Sequence, residues 1–380
     1  MDFNYTDEQN ALRDTLARFI AKDYGFEQRR ALAKSDEGFS RDHWKQFAEL
    51  GLTALPFPDN LGGLGGNAVD TMLVMEAFGR GLVLEPYLAT VVVAGHLVRD
   101  AGSDAQKEAL LPSIAGGELM MALAHFEPGG RYKVSRVDTA AKPKGDGWTL
   151  SGAKGVVLSG GAAGKLLVSA RTSHEPRDED GISLFLVERN APGLTVRSYM
   201  TQDGGRAAEI RLNDVAVAAD ALVGTQHAAL PAIERALDYG IAALCAEAVG
   251  IMTALNEATL EYLKTRKQFG QPIGRFQALQ HRMVDMVIAT EQARSMATLA
   301  AVKADAPNAA ERRRAISAAK AYVGQQARFV GQQAVQLHGG MGVVDELNVS
   351  HYFKRLTMIN MTFGDADHHL GLFSDMILAA

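Results

Sequence analysis

Two short segments carry residue types suited to binding phosphate. The first reads Arg266-Lys-Gln-Phe-Gly270 and continues as Pro272-Ile-Gly-Arg-Phe-Gln277. Between Tyr262 and Val284 there are five basic residues (Lys264, Arg266, Lys267, Arg275, Arg282) and no acid. A guanidinium presents a planar fork of donors, so Arg266, with Gln268 beside it, suits a pyrophosphate. Phe269 and Phe276 offer faces for an adenine or a flavin ring. The second segment, Gln336-Leu-His-Gly-Gly-Met-Gly342, contributes Gly339, Gly340 and Gly342, where no side chain keeps a phosphate-rich ligand from the backbone. Read plainly, the same residues are a solvated basic helix end and a glycine turn. Glu247 stands inside an apolar stretch, where burial would raise its pKa and mark it as a functional candidate. The competing reading is a carboxyl bonded to a neighbouring helix or barrel. His368-His369 is a poor metal site, because adjacent histidines on a helix point apart and no third ligand accompanies them.

The elements that must position these groups follow from periodicity. The chain has 380 residues, 39 basic against 44 acidic, so its formal charge is −5. That balance argues against a nucleic-acid binder. The length suggests two or three domains. One cysteine, Cys245, excludes an internal disulfide. No signal peptide and no membrane span is expected, since the longest apolar run, Ile241–Leu255, contains Glu247. A cytoplasmic location is expected. Up to about residue 117 the pattern is helical. Thr6 and Gln9 form a capping box ahead of Leu12, Leu16, Phe19 and Ile20, and Ser40 caps a helix with Trp44, Phe47 and Leu50 inward. Helix is also expected over Val69–Phe78 and before Pro112. From about Met121 the period becomes two, with strands expected at Trp148–Gly152, Leu166–Ala170, Ile182–Val187, Leu194–Tyr199 and Glu209–Leu212. Helix returns from about Gly224, over Ile233–Arg266, Gln277–Ala304 and Ala315–Val335. The expected fold class is α+β, with an N-terminal helical domain (1–117), a middle antiparallel β-barrel or sandwich (118–223) and a C-terminal four-helix bundle (224–380).

In this order, Asn60-Leu-Gly-Gly-Leu-Gly-Gly66, Glu76-Ala-Phe-Gly-Arg80, Arg266–Gly270 and Gln336–Gly342 resemble the acyl-CoA dehydrogenase family over essentially the whole chain. The resemblance implies FAD as cofactor, an acyl-CoA thioester as substrate, α,β-desaturation as the reaction and an electron-transfer flavoprotein as electron acceptor. It also implies that Arg266, Gln268, Phe269, Phe276, Gln277, Gln336, Gly339 and Gly340 reach the pyrophosphate and adenosine of an FAD held mainly by a neighbouring subunit.

The sequence departs from the family where the flavin ring and the base belong. The family's Thr-Glu-Pro-x-x-Gly-Ser reads Phe126-Glu-Pro-Gly-Gly-Arg-Tyr132. Its Gly-x-Lys-x-Trp-Ile-Thr-Asn-Gly reads Gly152-Ala-Lys-Gly-Val-Val-Leu-Ser-Gly160, so Val156 replaces the indole and Leu158 the flavin-bonding hydroxyl. The base position falls on Gly364, and its alternative position in the family falls on Gly240. Asp365, Asp238 and Glu247 are the carboxylates that could substitute. The pattern resembles the small subunit of heteromeric bacterial members, including pimeloyl-CoA dehydrogenase small subunits, which implies a related large subunit in an α2β2 assembly. A self-sufficient homotetramer with a non-standard base, a flavin monooxygenase on the same fold and a purely architectural subunit are the alternatives.

Overall fold

The computed structural model describes residues 4–378. Helix α1 (Asp7–Asp23) opens on the expected capping box: Thr6 Oγ1 accepts from the Gln9 amide at 3.2 Å and Gln9 Oε1 from the Thr6 amide at 3.1 Å. Helices α2 (Phe26–Lys34) and α3 (Arg41–Glu49) follow, and Ser40 caps α3. Trp44 and Phe47 are buried, but Leu50 is 42% exposed, contrary to expectation. Leu50 is the C-cap, so its side chain has left the buried face of the helix.

Helix α4 (Ala68–Gly81) is followed by a π-helix over Leu88–Gly95, then α5 (His96–Ala101) and α6 (Asp104–Ala115). The π-helix was not expected, because a run of β-branched residues gives no helical period to read. Helix α6 also runs one turn past the expected break, enclosing Pro112.

Strands β1 (Met121–Ala124), β2 (Ala140–Lys144), β3 (Gly147–Leu158), β4 (Lys165–Arg171), β5 (Ile182–Glu188), β6 (Leu194–Met200), β7 (Arg206–Val217) and β8 (Leu222–Val223) form one sheet. Its order is β6-β7-β3-β2-β4-β5-β8, with β1 beside β4. Most pairings are antiparallel, but β1 and β2 run parallel to β4. Strands β4 and β5 are buried almost continuously, so both of their faces are covered. The core holds Leu150, Leu166, Val168, Phe185, Ile210 and Leu212. Burying each such side chain stabilises by about 1.5–3 kcal/mol.

The remaining elements are α7 (Leu230–Thr265), a hairpin of β9 (Lys267–Gln268) and β10 (Gln271–Pro272), and helices α8 (Gln277–Ala304), α9 (Ala309–His338), α10 (Asn348–Met361) and α11 (Ala366–Leu378). Helix α7 is long and apolar enough to cross a membrane, yet 94% of its apolar window is buried within the fold. By contact density the chain forms two compact units. One holds residues up to Ala31, Ala68–Val83 and those from Ile241 onward; the other holds Leu32–Asn67 and Leu84–Gly240. In the first unit α4 and α7 approach closely at glycines. A Cβ on Gly79 would meet the Glu247 carbonyl, and one on Gly250 the Glu76 carbonyl, both well inside contact distance.

Gly250→Ala therefore forces two backbones apart. It should destabilise by about 1–3 kcal/mol, as overpacking does, opposite to the gain of about 1 kcal/mol that helix propensity alone would give. Chemical denaturation measures it, and a more stable variant would contradict the close approach.

Candidate functional site

Helix α7 ends in the β9–β10 hairpin. Phe269 (φ 55°) and Gly270 (φ 78°) form its two-residue turn, both left-handed as a type I′ turn requires. Phe269 is thereby held 89% exposed, its ring edge-on to Phe276 at 6.0 Å. The backbone of Arg266 is fixed: its amide donates to the Tyr262 carbonyl at 2.8 Å and its carbonyl accepts from Ile273 at 2.9 Å. Its side chain is exposed. Among the described residues, none of the five cations Lys264, Arg266, Lys267, Arg275 and Arg282 makes an ion pair. The Gln268 amide reaches only the neighbouring Lys267 carbonyl, and Gln277 is exposed.

The glycine turn lies at the end of α9. Gln336 is exposed, Gly339 has φ 60°, and a Cβ on Gly339 or Gly340 would meet nothing within 4 Å. A Cβ on Gly342 would instead lie 2.5 Å from the Val335 carbonyl oxygen, so that glycine serves packing. Tyr262 of α7 and His338 of α9 stack with ring centres 4.4 Å apart and planes 29° from parallel. This contact sits four residues before Arg266 and one before Gly339, and it joins the two segments expected to bind phosphate. Cations without an ion pair among the described residues, on a terminus that the ring stack links to two open glycines, fit the pyrophosphate and adenosine half of FAD.

In the other unit, the Phe126–Tyr132 turn lies against β3, where the Gly155 amide donates to the Phe126 carbonyl at 2.9 Å. The β3–β7 register shifts between Lys154 and Val157. This bulge holds Val156 56% exposed at φ 51°, a strained conformation for a β-branched residue. Neither Val156 nor Leu158 offers a side-chain donor.

Beneath them Lys154 is fully buried. Its ammonium donates to Glu127 Oε1 at 2.6 Å, Ser169 Oγ at 3.0 Å and the His125 carbonyl at 3.2 Å. Glu127 also accepts the amides of Asp138 (2.6 Å) and Thr139 (3.0 Å). Burial pushes Lys154 down to about 8, against the pull of Glu127, so it remains charged at neutral pH. Burial raises Glu127, but Lys154 and the Thr139 contacts outweigh it and leave the carboxyl below its usual value. Burial, with Lys154 alongside, pushes His125 down to about 3.

The corner between α10 and α11 contains Gly364, at φ 114°. A Cβ there would lie 2.6 Å from both His368 Cδ2 and His369 Nε2, so two imidazoles already fill the space of a side chain. Asp365 Oδ1 accepts the His368 amide at 2.8 Å, which makes this carboxylate the cap of α11. Lys320 of α9 is buried and donates to the carbonyls of Ile359 (2.6 Å), Asn360 (3.0 Å) and Thr362 (3.0 Å), closing the end of α10. His369 Nε2 lies 3.0 Å from the Phe363 carbonyl, and burial with Lys320 nearby pushes the ring down to about 3.

Glu247 accepts a bidentate pair from Arg355 of α10, Nε at 2.6 Å and Nη2 at 2.7 Å. It is thus a carboxyl bonded to a neighbouring helix, the plainer of its two readings. Asp238 is buried in the first part of α7. Cys245 is buried with its thiol pushed up to about 12, which leaves it unreactive.

Glu127, Lys154, Lys320, Tyr262 and His338 were not singled out from sequence. Lys320 carried a signal: it falls in phase with the buried Ile316, Val323 and Ala327 of α9.

Replacing Lys154 by Met leaves the Glu127 charge buried without its partner and should remove about 3–5 kcal/mol of stability. A denaturation shift corresponding to less than about 1 kcal/mol would mean that the pair is not a closed ion pair. Acid should act through the two buried imidazoles. Unfolded, each binds a proton below about 6.5, but folded only near 3. The unfolded state therefore binds more protons in that window, and stability present above pH 6.5 is lost as pH falls toward 3. The denaturant midpoint should decline between about pH 7 and 5, above the carboxylate range. A flat profile there would contradict neutral, buried rings.

Comparison with known proteins gives three domain matches: "Acyl-CoA dehydrogenase, N-terminal domain" over residues 6–118, "middle domain" over 122–215 and "C-terminal domain" over 230–378. The probable acyl-CoA dehydrogenase YngJ of Bacillus subtilis is 30% identical over 97% of both chains. Among solved structures, PigA with FAD and proline superposes with a TM-score of 0.91 at 27% identity, over 99% of each chain. A chain of the ChsE4-ChsE5 complex of Mycobacterium tuberculosis superposes with a TM-score of 0.88 at 25% identity, over all of this chain and all of that one. The helix–sheet–helix order and these matches agree: the chain belongs to the acyl-CoA dehydrogenase family, FAD-dependent oxidoreductases of acyl-CoA thioesters.

Proposed function

We propose that this chain is the small subunit of a heteromeric acyl-CoA dehydrogenase, joined to a related large subunit as α2β2. Its contribution is one half of the partner's FAD site. The observation that carries this reading is an asymmetry. The nucleotide-binding end is open and its cations lack partners, whereas the corner that would hold the base is packed shut by His368 and His369 around Gly364.

Arg266 and Gln268 bind the pyrophosphate, Gly339 and Gly340 admit it to the backbone, and Phe269, Phe276, Gln277 and Gln336 border the adenosine. When bound, FAD supplies the acceptor for the hydride leaving the β-carbon of the thioester. On this chain's own ring-side face, Leu158 would leave a flavin atom unpaired, at about 1–3 kcal/mol per group. Asp365 already caps α11 at the corner, and Glu247 is neutralised by Arg355. A position that takes a proton therefore belongs to the partner.

Helix α8 presents Val284, Val287, Ile288, Leu299 and Val302 to solvent, an apolar stripe of the kind that subunits bury. The ChsE4-ChsE5 complex, as a relative formed of two components, supports the heteromeric reading. The reading extends to an electron-transfer flavoprotein as acceptor, a cytoplasmic location and the three-segment division 1–117, 118–223 and 224–380.

The test is to purify the chain alone and co-expressed with a related large chain, and to measure mass and FAD:protein ratio. Alone, it should hold little FAD and show no flavin reduction by acyl-CoA; the assembly should hold FAD stoichiometrically. Arg266→Ala in the assembly should weaken FAD binding about 10- to 100-fold, as loss of a charge-assisted bond does. A lone chain that is fully loaded with FAD and reduced by substrate, and silenced by Asp365→Asn, would establish the self-sufficient homotetramer instead.

A further inference from the structure

The nucleotide-binding end is built from two separate helix termini, and something must hold them in register. Between the described side chains of these termini, the aromatic contact is Tyr262 on His338. The carbonyl of Tyr262 accepts the Arg266 amide at 2.8 Å, so the position of the ring is passed directly to the root of the hairpin. On the other side, His338 Nδ1 lies 2.8 Å from the Ala334 carbonyl of its own helix, which assigns the proton to Nδ1 and fixes the ring plane. Burial holds His338 below its usual pKa, so the stacked ring is neutral. The next residue is Gly339, where the chain leaves the helix in a left-handed turn. Gly342 then folds back, and a Cβ there would lie 3.1 Å from His338 Cβ. The imidazole is thus gripped by its own helix, by Tyr262 and by the returning turn.

We propose that Tyr262 and His338 are positioning residues for the nucleotide: their stack sets the distance between the Arg266 guanidinium and the open Gly339–Gly340 backbone. This inference rests on the reading of that end as the FAD pyrophosphate site. A pyrophosphate spans the two termini only while they are in register. Without the stack each terminus still folds, but ordering both together then opposes binding. The contact needs two flat rings and no hydroxyl. Tyr262→Phe should therefore behave as the unaltered chain, and Tyr262→Ala should not.

The experiment titrates ADP, which carries the adenosine and pyrophosphate, into the FAD-stripped assembly with the large chain by calorimetry, with thermal midpoints recorded for every variant. Arg266→Ala serves as the control for the site. Tyr262→Ala and His338→Ala should each weaken ADP binding about three- to tenfold, the range of an aromatic pair. Tyr262→Phe and His338→Phe should restore it. The double variant Tyr262→Ala/His338→Ala should be no weaker than either single, since both remove one contact.

If Arg266→Ala weakens binding while Tyr262→Ala leaves it unchanged, the stack is structural and the positioning role is overturned. That role is overturned equally if the phenylalanine variants fail to rescue, or if loss of binding merely tracks loss of the thermal midpoint. If the unaltered assembly binds no ADP, or Arg266→Ala changes nothing, the nucleotide reading itself fails.

Discussion

A buried ammonium ion needs three oxygen acceptors, and each compact unit of this protein is organised by meeting that demand once. Lys154 lies under the sheet-side turn with Glu127, Ser169 and the His125 carbonyl around it. Lys320 lies under the α10–α11 corner with three carbonyls around it. Taking an ammonium from water costs several kcal/mol, so the geometry persists only where every donor is met. The two solutions differ in kind. Lys154 faces a carboxylate, and Lys320 faces the negative end of a helix dipole. In both cases one side chain holds backbone carbonyls where an element ends: His125 just past β1, and Ile359, Asn360 and Thr362 at the close of α10.

These two turns are the stretches where the sequence departs from the family motifs quoted above. Phe126, Tyr132, Val156 and Leu158 present rings and aliphatic groups, but the scaffold below them is intact. Glu127 and Lys154 remain paired, and the Gly155 amide still holds the Phe126 carbonyl. The same separation of frame from lining holds at the corner, where Asp365 and Lys320 secure the backbone while imidazoles occupy the interior. The end proposed to bind the nucleotide shows the converse. There the frame is light, a two-residue turn and one ring stack, and the polar side chains face solvent.

Much of this was legible in the residues. The limits of α8 follow from apolar spacing between Phe276 and Asp305, and the α1 capping box follows from Thr6 and Gln9. The β9–β10 hairpin was not readable, because strands of two residues each show no period. What could not be read depended on partners distant in sequence. Glu247 gives no sign of Arg355, 108 positions away. Strands β1 and β2 are short, and β2 contains Pro143 between two lysines, so neither shows a two-residue period. The π-helix has no periodic signature at all, and the outward turn of Leu50 comes from a cap geometry that apolar spacing does not encode.

The packing around Gly364 has a consequence for substitution there. A single substitution that introduced a long acidic side chain there would have to displace two imidazoles and relax a backbone at φ 114°. One of those rings, His369, is itself tethered to the Phe363 carbonyl. A side chain at this position thus calls for movement at two further residues, His368 and His369. The corner therefore resists the insertion of a side chain at Gly364 by any one substitution.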